Sequence, residues 1–185
     1  MKDSPLLPID YWNELKARYG DKSCIYTTVE HGWAGNYFKQ YDDLEKFNKK
    51  NGTNIRWIYG AEAYWVKDRH KPDKSNCHIV LLARTDKGRK AINKILSIAN
   101  KDGYYARPRI DLELIDQLPY DDVMITTACV AFWNKYDDIA DIVRHLAESF
   151  PHFYLEVQAH DTPEQKELNR RIIQISEELL VPIIA

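Results

Sequence analysis

Cysteine is scarce in this chain of 185 residues, with three residues at wide spacing, Cys24, Cys77 and Cys129. An odd number at this spacing does not indicate a disulfide framework, and without a CxxC pair a structural zinc knuckle is not expected. Long apolar runs are also lacking. No stretch of about 18 apolar residues could span a membrane, and the N-terminus lacks the apolar core of a signal peptide. We therefore expect a cytoplasmic protein with no membrane partner.

An excess of basic residues is missing as well. Lys and Arg total 26 and Asp and Glu total 28, which gives a formal net charge of −2. A domain that binds nucleic acid electrostatically usually carries a basic stripe. The sequence also lacks a glycine-rich phosphate-binding loop and a nucleophile elbow. These absences disfavour a stand-alone DNA-binding domain and a hydrolase of the Ser-His-Asp type.

Helical and strand-like segments alternate along the chain. Apolar spacing and capping residues predict helices over residues 8–19, 37–50, 87–100, 112–117, 137–150 and 163–180. Short apolar runs predict strands over residues 24–29, 55–59, 78–83, 123–127, 153–157 and 181–185, with a loop rich in Tyr and Arg over 103–109. The alternation predicts one α/β domain over residues 1–185, with a mostly parallel sheet and helices outside it.

Polar residues stand at the ends of several predicted strands, where chemistry is found in parallel α/β folds. Glu30, His31, Glu62 and Cys129 lie at or just past such ends, whereas His78 opens its strand, so the rule does not place it with the others. Imidazole, carboxylate and thiolate together suit zinc, and imidazole with carboxylate also suits manganese. The residue types therefore allow a metal site.

A purely structural interpretation stays open on the residues alone. Ligands so far apart in sequence give no spacing signature. His31 can be a loop histidine, Glu62 a solvated turn residue and His78 a histidine satisfied in the core. His160 follows a predicted strand and can border a site.

Six stretches, in order, resemble the polymerase-and-histidinol-phosphatase (PHP) domain that opens the α subunit of bacterial DNA polymerase III. Residues 28–32 are similar to the family's Thr-Asp-His-Gly turn, residues 59–64 to its Gly-Cys-Glu-Ala-Tyr segment, and residues 78–83 to its His-Leu-Val-Leu-Leu-Ala strand. Residues 103–111 are similar to its Gly-Phe-Tyr-Tyr-Lys-Pro-Arg-Ile-Asp loop, residues 127–129 to its Ser-Gly-Cys turn, and residues 153–165 to its Tyr-Leu-Glu-Leu-Gln-x-His … Pro-Glu-Gln segment. The resemblance covers nearly the whole chain.

The resemblance implies a distorted (βα)7 TIM-like barrel with a trinuclear zinc or manganese centre at the carboxyl ends of its strands. In related proteins this centre hydrolyses phosphoesters, and in some polymerases it acts as a 3′–5′ exonuclease. Carried over position by position, the family's metal ligands match His31, Glu62, His78 and Cys129. Asp3 stands where the family has the Asp that follows its first motif.

The chain departs from the family pattern at its two ends and at one internal position. The first motif, a His-x-His pair, and the last motif, Asn-Asp-x-His, are not found, and Glu30 stands where the family has Asp. We therefore expect a barrel incomplete at both ends, in a chain that is either a fragment or is completed by pieces from another chain. We also expect at most one bound zinc or manganese ion and negligible phosphoesterase activity of this chain alone. Arg109 and His160 lie in matching segments and are expected, with Glu30, to border the site.

Three functions remain open at this point. The chain can be the PHP part of a replicative DNA polymerase, with the parent's polymerase domains as partners and DNA contacted through the parent protein. It can also be a free-standing PHP metallophosphoesterase, or an inactive PHP scaffold. The loop at 103–111 and the segment at 153–165 resemble the polymerase branch, which favours the first function.

Overall fold

The computed structural model describes residues 6–33, 35–74 and 77–185. Its helices are α1 (Pro8–Tyr19), α2 (Tyr37–Asn51), α3 (Asp86–Lys101), α4 (Leu112–Ile115), α5 (Val130–Trp133), α6 (Ile139–Ser149) and α7 (Pro163–Leu179). Its strands are β1 (Ser23–His31), β2 (Asn54–Trp65), β3 (Cys77–Ala83), β4 (Tyr104–Tyr105), β5 (Arg107–Ile110), β6 (Val123–Thr126), β7 (Phe153–Glu156) and β8 (Ile183–Ile184). Within the described residues, no helix combines the length and the apolar character that crossing a bilayer requires.

The strands form one curled, mixed sheet in the order β4-β5-β2-β3-β6-β7-β8, with β1 beside the first part of β2. Strand β3 runs antiparallel to both of its neighbours, and β4 runs antiparallel to β5, whereas the other pairs are parallel. The α/β class and an incomplete, half-barrel sheet are confirmed, but the expectation of a mostly parallel sheet fails at β3. The connection over residues 66–76 is too short for the crossover that a parallel return needs.

Strand β2 is much longer than the sequence predicts, because it continues through Gly60 to Trp65. A glycine inside a strand often marks a close approach of neighbouring chains. A Cβ atom at Gly60 would lie 2.4 Å from a methyl carbon of Leu82 and 2.8 Å from one of Val29, in the two flanking strands. Gly60 therefore allows tight packing within the sheet and does not end the strand.

Residues 103–109 form the hairpin β4–β5 and not the expected loop. Tyr105 pairs with Arg107 across Ala106, which has a left-handed φ of 60°. This backbone conformation is uncommon for a residue with a side chain. Without a Gly or Asn at the tip, the sequence carried no hairpin signal. The one-turn helix α5 was also not predicted.

The convex face of the sheet carries the main hydrophobic core. Alternate residues of β2 and β3 point towards it, and helices α3, α6 and α7 cover them. The residues buried together there include Ala61, Ala63, Trp65, Ile79, Leu81, Ile92, Ile95, Val143, Leu146, Leu168 and Ile172. Removal of this apolar surface from water is the main source of the domain's stability.

A second, smaller cluster lies where α1 and α2 pack on the start of the sheet. Its members are Trp12, Tyr26, Leu44, Phe47 and Ile55. Among the described strands β1 pairs with β2 alone. The other edge of β1 faces an apolar groove beside α1.

Candidate metal centre

The concave face of the sheet gathers polar side chains where β1 and β2 end and β3 begins. His31 pairs in register with Glu62, and His78 pairs with Tyr64, two residues further along β2. Paired residues project to the same face, as do residues two apart in one strand. Because β3 runs antiparallel, its first residues lie beside the last residues of β2. The reversal of β3 therefore brings His78 to the other candidates although it opens its strand.

Glu62 lies between two imidazoles. Its Oε1 is 2.9 Å from Nδ1 of His78, and its Oε2 is 3.6 Å from Nε2 of His31. One ligand atom from each of the three residues lies within 4.8 Å of the other two. This spacing is near the separation of ligands around one ion bound at roughly 2 Å.

Cys129 extends the group, because its Sγ lies 3.4 Å from the same Nδ1 of His78. The hydrogen bonds to Cys129 and to Glu62 raise the pKa of His78 from 6.5 to about 9, against the opposing effect of burial. The imidazole of His78 is therefore protonated at neutral pH. A metal ion binds neutral imidazole, so it would have to displace this proton.

The turn after β6 positions Cys129. Ala128 has a left-handed φ of 50°, a conformation that costs a residue with a side chain about 1–2 kcal/mol. Its backbone N–H donates to Oγ1 of Thr126 (3.3 Å), and the Thr126 hydroxyl donates to Glu156 (2.7 Å). Strained backbone held by its surroundings is frequent where a side chain is placed for function.

Tyr64, which the sequence did not single out, contacts both imidazoles. Its ring stacks on His31 with the centroids 5.7 Å apart and meets His78 edge-on at 5.4 Å. Gly32 leaves room for this ring, because a Cβ there would lie 3.2 Å from ring carbons of Tyr64 and 2.8 Å from Pro108. The sequence alone does not place Tyr64 at the site, because that placement depends on the direction and register of β3.

A comparison with known protein families identifies one family over most of the chain. The sequence profile of the PHP domain matches residues 24–160, a segment that includes His31, Glu62, His78 and Cys129. The chain belongs to the PHP family.

Curated relatives of this PHP chain are named DNA polymerase III subunit alpha. The Aquifex aeolicus protein is 34% identical over 172 aligned positions, which include 82% of this chain and 14% of that protein. The Borreliella burgdorferi protein is 30% identical over 184 positions, with 92% and 15% covered. The Deinococcus radiodurans protein is 28% identical over 156 positions, with 75% and 12% covered. The chain thus spans 15% or less of the length of these three relatives.

Glu30, at the position where the sequence departs from the PHP pattern, is not brought into the His–Glu–His group. It follows the strand alternation and points away from the face of its neighbour His31. Its Oε1 accepts hydrogen bonds from Asn36 (3.3 Å) and Gln40 (3.4 Å). The position of Glu30 at the border of the PHP site stays a prediction.

The other expected residues lie in different surroundings. Arg109 is buried, and its guanidinium donates to the backbone carbonyls of residues 69, 71, 73 and 103 at 2.6 to 3.2 Å. It ties the hairpin β4–β5 to the loop before β3. His160 is exposed after β7, and Asp3 lies outside the described residues. Roles for all three at the metal centre stay predictions.

The group fits a metal ion on chemical grounds. It combines two imidazoles, a carboxylate and a thiol, all partly shielded from water. The Nε2 atom of His78 is buried and has no hydrogen-bond partner among the described residues. A buried polar atom without a partner is costly, and a metal ion that replaces the proton on Nε2 would remove that cost.

Proposed function

We propose that this chain is the PHP part of a replicative DNA polymerase α subunit, and that its concave face binds a divalent metal ion for phosphoester hydrolysis. The observation that carries the proposal is the clustering of ligand atoms of His31, Glu62 and His78 within 4.8 Å on one face. The PHP match and the polymerase subunits among the relatives support the same assignment.

The side chains would divide the work of holding the ion. Glu62 contributes negative charge, His31 and His78 contribute neutral nitrogens, and Cys129 contributes a thiolate. The sulfur favours zinc over manganese. A bound divalent ion supplies Lewis-acid stabilisation of phosphate oxygens and lowers the pKa of bound water. Tyr64 keeps the two imidazole rings in place, since it packs against both.

The number of candidate ligands among the described residues supports one ion and not three. Divalent ions held close together repel one another, so a cluster of three needs more anionic ligands than Glu62 and Cys129. We expect at most one tightly bound ion. Without a second ion to share the charge of a phosphodiester, we also expect negligible phosphoesterase or exonuclease activity from this chain assayed alone.

Contact with DNA is proposed to pass through the polymerase domains of the parent protein, which would be the direct partners of this chain in the cytoplasm. A net charge of −2 gives little counterion release on a duplex. Fluorescence anisotropy with a labelled duplex at about 0.15 M salt should show binding weaker than micromolar. Sub-micromolar binding without sequence preference would contradict this.

The proposal is tested by metal analysis and a phosphodiester assay on the same preparation. The chain should retain one equivalent of zinc or less after dialysis, and Glu62→Ala should lose it. Hydrolysis of a chromogenic phosphodiester should stay at background. Two or more retained ions together with turnover that Glu62→Ala abolishes would show that four ligands are not the whole site.

A further inference from the structure

Four cations lie over tyrosine rings in the described part of the chain, and Arg107 differs from the other three. Its Cζ lies 4.7 Å from the ring centroid of Tyr64, and its guanidinium makes no hydrogen bond or ion pair with any described residue. The other three cations have polar partners besides the ring: Lys67 pairs with Asp138, Arg89 pairs with Asp86, and Arg109 donates to backbone carbonyls.

The chain on both sides of Arg107 is held firmly. Ala106 before it takes the left-handed φ of 60° at the hairpin tip. Pro108 after it packs so closely on Gly32 that a Cβ there would lie 2.8 Å away. Arg109 is tied by four carbonyl contacts. Backbone strain that its surroundings maintain often marks a site where a ligand is held. Here the firmly held backbone fixes the position of Arg107, whose guanidinium N–H groups have no acceptor among the described residues.

Arg107 and the metal centre share the ring of Tyr64. Arg109, two residues after Arg107, pairs in register with Tyr64, so Arg107 and Tyr64 project to the same concave face. The ring that Arg107 contacts also stacks on His31 and meets His78. The guanidinium therefore lies one ring away from both imidazoles.

We propose that Arg107 binds phosphoryl oxygens of the ligand at the metal centre, an inference that rests on the proposed function. A guanidinium presents a planar fork of donors that matches two oxygens of a phosphate. The ring of Tyr64 holds that fork through a cation–π contact. The chemistry is the same for free phosphate and for the phosphate of a nucleotide.

The test measures phosphate binding to the Mn²⁺-loaded chain, since bound Mn²⁺ broadens the ³¹P resonance of a nearby phosphate. Inorganic phosphate and thymidine 5′-monophosphate are titrated separately against the wild type, Arg107→Gln and Arg107→Lys. Arg89→Gln is the matched control, because Arg89 also lies over a tyrosine but pairs with Asp86. The Mn²⁺ affinity of each variant is measured by electron paramagnetic resonance, and its fold by circular dichroism.

Arg107→Gln should weaken binding of both phosphates at least about tenfold and leave Mn²⁺ affinity within about twofold of wild type, because the side chain is not a ligand. The phosphate affinity of Arg107→Lys should fall between those of the wild type and Arg107→Gln, since lysine keeps the positive charge and lacks the planar fork of donors. If Arg107→Gln does not fold, the comparison of Arg107→Lys with the wild type tests the proposal. Arg89→Gln should match the wild type.

Equal phosphate affinity in Arg107→Gln and the wild type, with Mn²⁺ bound in both, would overturn the inference while leaving the metal centre intact. A loss confined to the nucleotide would place the contact on its base or sugar and would overturn the assignment to phosphoryl oxygens. Failure of the wild type to bind Mn²⁺ and, in a parallel titration, Zn²⁺ would overturn the metal centre and this inference together. If the wild type binds Zn²⁺ alone, phosphate binding to the same variants is compared by calorimetry on the zinc-loaded chain, with the same expected results.

Discussion

The two faces of the sheet hold their side chains by different means. On the convex face, Ile79 and Leu81 are fully buried against the helices. On the concave face, Glu62 and His78 keep 17% and 16% of their side chains exposed and are held by hydrogen bonds and ring contacts. The two environments alternate residue by residue along β3. Stability is concentrated on one face and candidate chemistry on the other, so neighbouring substitutions should separate the two properties.

The largest effect on stability is expected on the convex face. Leu81 is fully buried in the main core, and Leu81→Ala should lower the free energy of unfolding by about 2–5 kcal/mol through lost burial and the cavity left behind. Leu82→Ala is the matched control, because Leu82 is half-buried on the concave face and should cost about 1 kcal/mol. Urea denaturation measures both. Equal costs would mean that the faces do not differ as described.

The largest effect on metal binding is expected on the concave face. Loss of a residue that only supports a ligand lowers metal affinity about 10–100-fold, so Glu62→Gln should lower zinc affinity by about 100-fold or more. Glu178→Gln is the control, since that carboxylate is exposed on α7 and accepts a hydrogen bond from Gln174 in the same helix. Competition with a zinc chelator measures the affinities. An equal loss of zinc affinity in the two variants would show that Glu62 is not a zinc ligand.

The charge on His78 should make the metal-free protein sensitive to pH. Its folded pKa of about 9 lies above the ordinary 6.5. The contribution of protonated His78 to the stability of the folded state is therefore complete below about pH 6.5 and is lost as the pH rises through about 9. Zinc affinity should rise over the same range, because zinc displaces this proton.

NMR titration of the imidazole C–H signals checks the assignment of this pKa. In Cys129→Ala the pKa of His78 should fall, since the thiol hydrogen bond is the largest cause of the shift. Titration of His78 near its ordinary pKa in the metal-free wild type would show that Cys129 and Glu62 do not hold the proton.

The smallest predicted effect concerns the turn that carries Cys129. Ala128→Gly removes the side chain from a left-handed residue, which relieves about 1–2 kcal/mol of strain, and adds about 0.5–1 kcal/mol of chain entropy to be lost on folding. The net result should be a stabilisation of about 0.5–1 kcal/mol in urea denaturation, with unchanged zinc affinity. Gly20→Ala, in a left-handed position without nearby atoms, should be destabilising. Destabilisation by Ala128→Gly would show that the turn is not strained.

The convex face could be predicted from the sequence, because its information is local. Apolar spacing with Pro8 and Gly20 at the ends gave the bounds of α1, and Thr162 and Pro163 gave the start of α7. These elements bury one stripe against the sheet, so burial follows from periodicity. The family resemblance then supplied the half-barrel arrangement of the elements.

The concave face depends on information that is not local. His78 reaches Glu62 only because β3 reverses direction, and Tyr64 is at the site only because it pairs with His78. A hairpin orients Arg107, and the residue at its tip is Ala106, which has a positive φ. Because the usual Gly or Asn is not at the tip, the sequence does not predict this hairpin. Residues that match the family could be named in advance, whereas the side chains that orient them could not.

X-ray absorption at the zinc edge of the zinc-loaded chain tests the central claim most directly. One zinc per chain should be found, coordinated by nitrogen and oxygen atoms and by one sulfur at about 2.3 Å, and the sulfur signal should vanish in Cys129→Ser. Nitrogen donors, one carboxylate and that single sulfur would place the ion among His31, Glu62, His78 and Cys129. A spectrum without sulfur or nitrogen ligands, or a zinc–zinc vector from a second ion, would contradict the single-ion centre on the concave face.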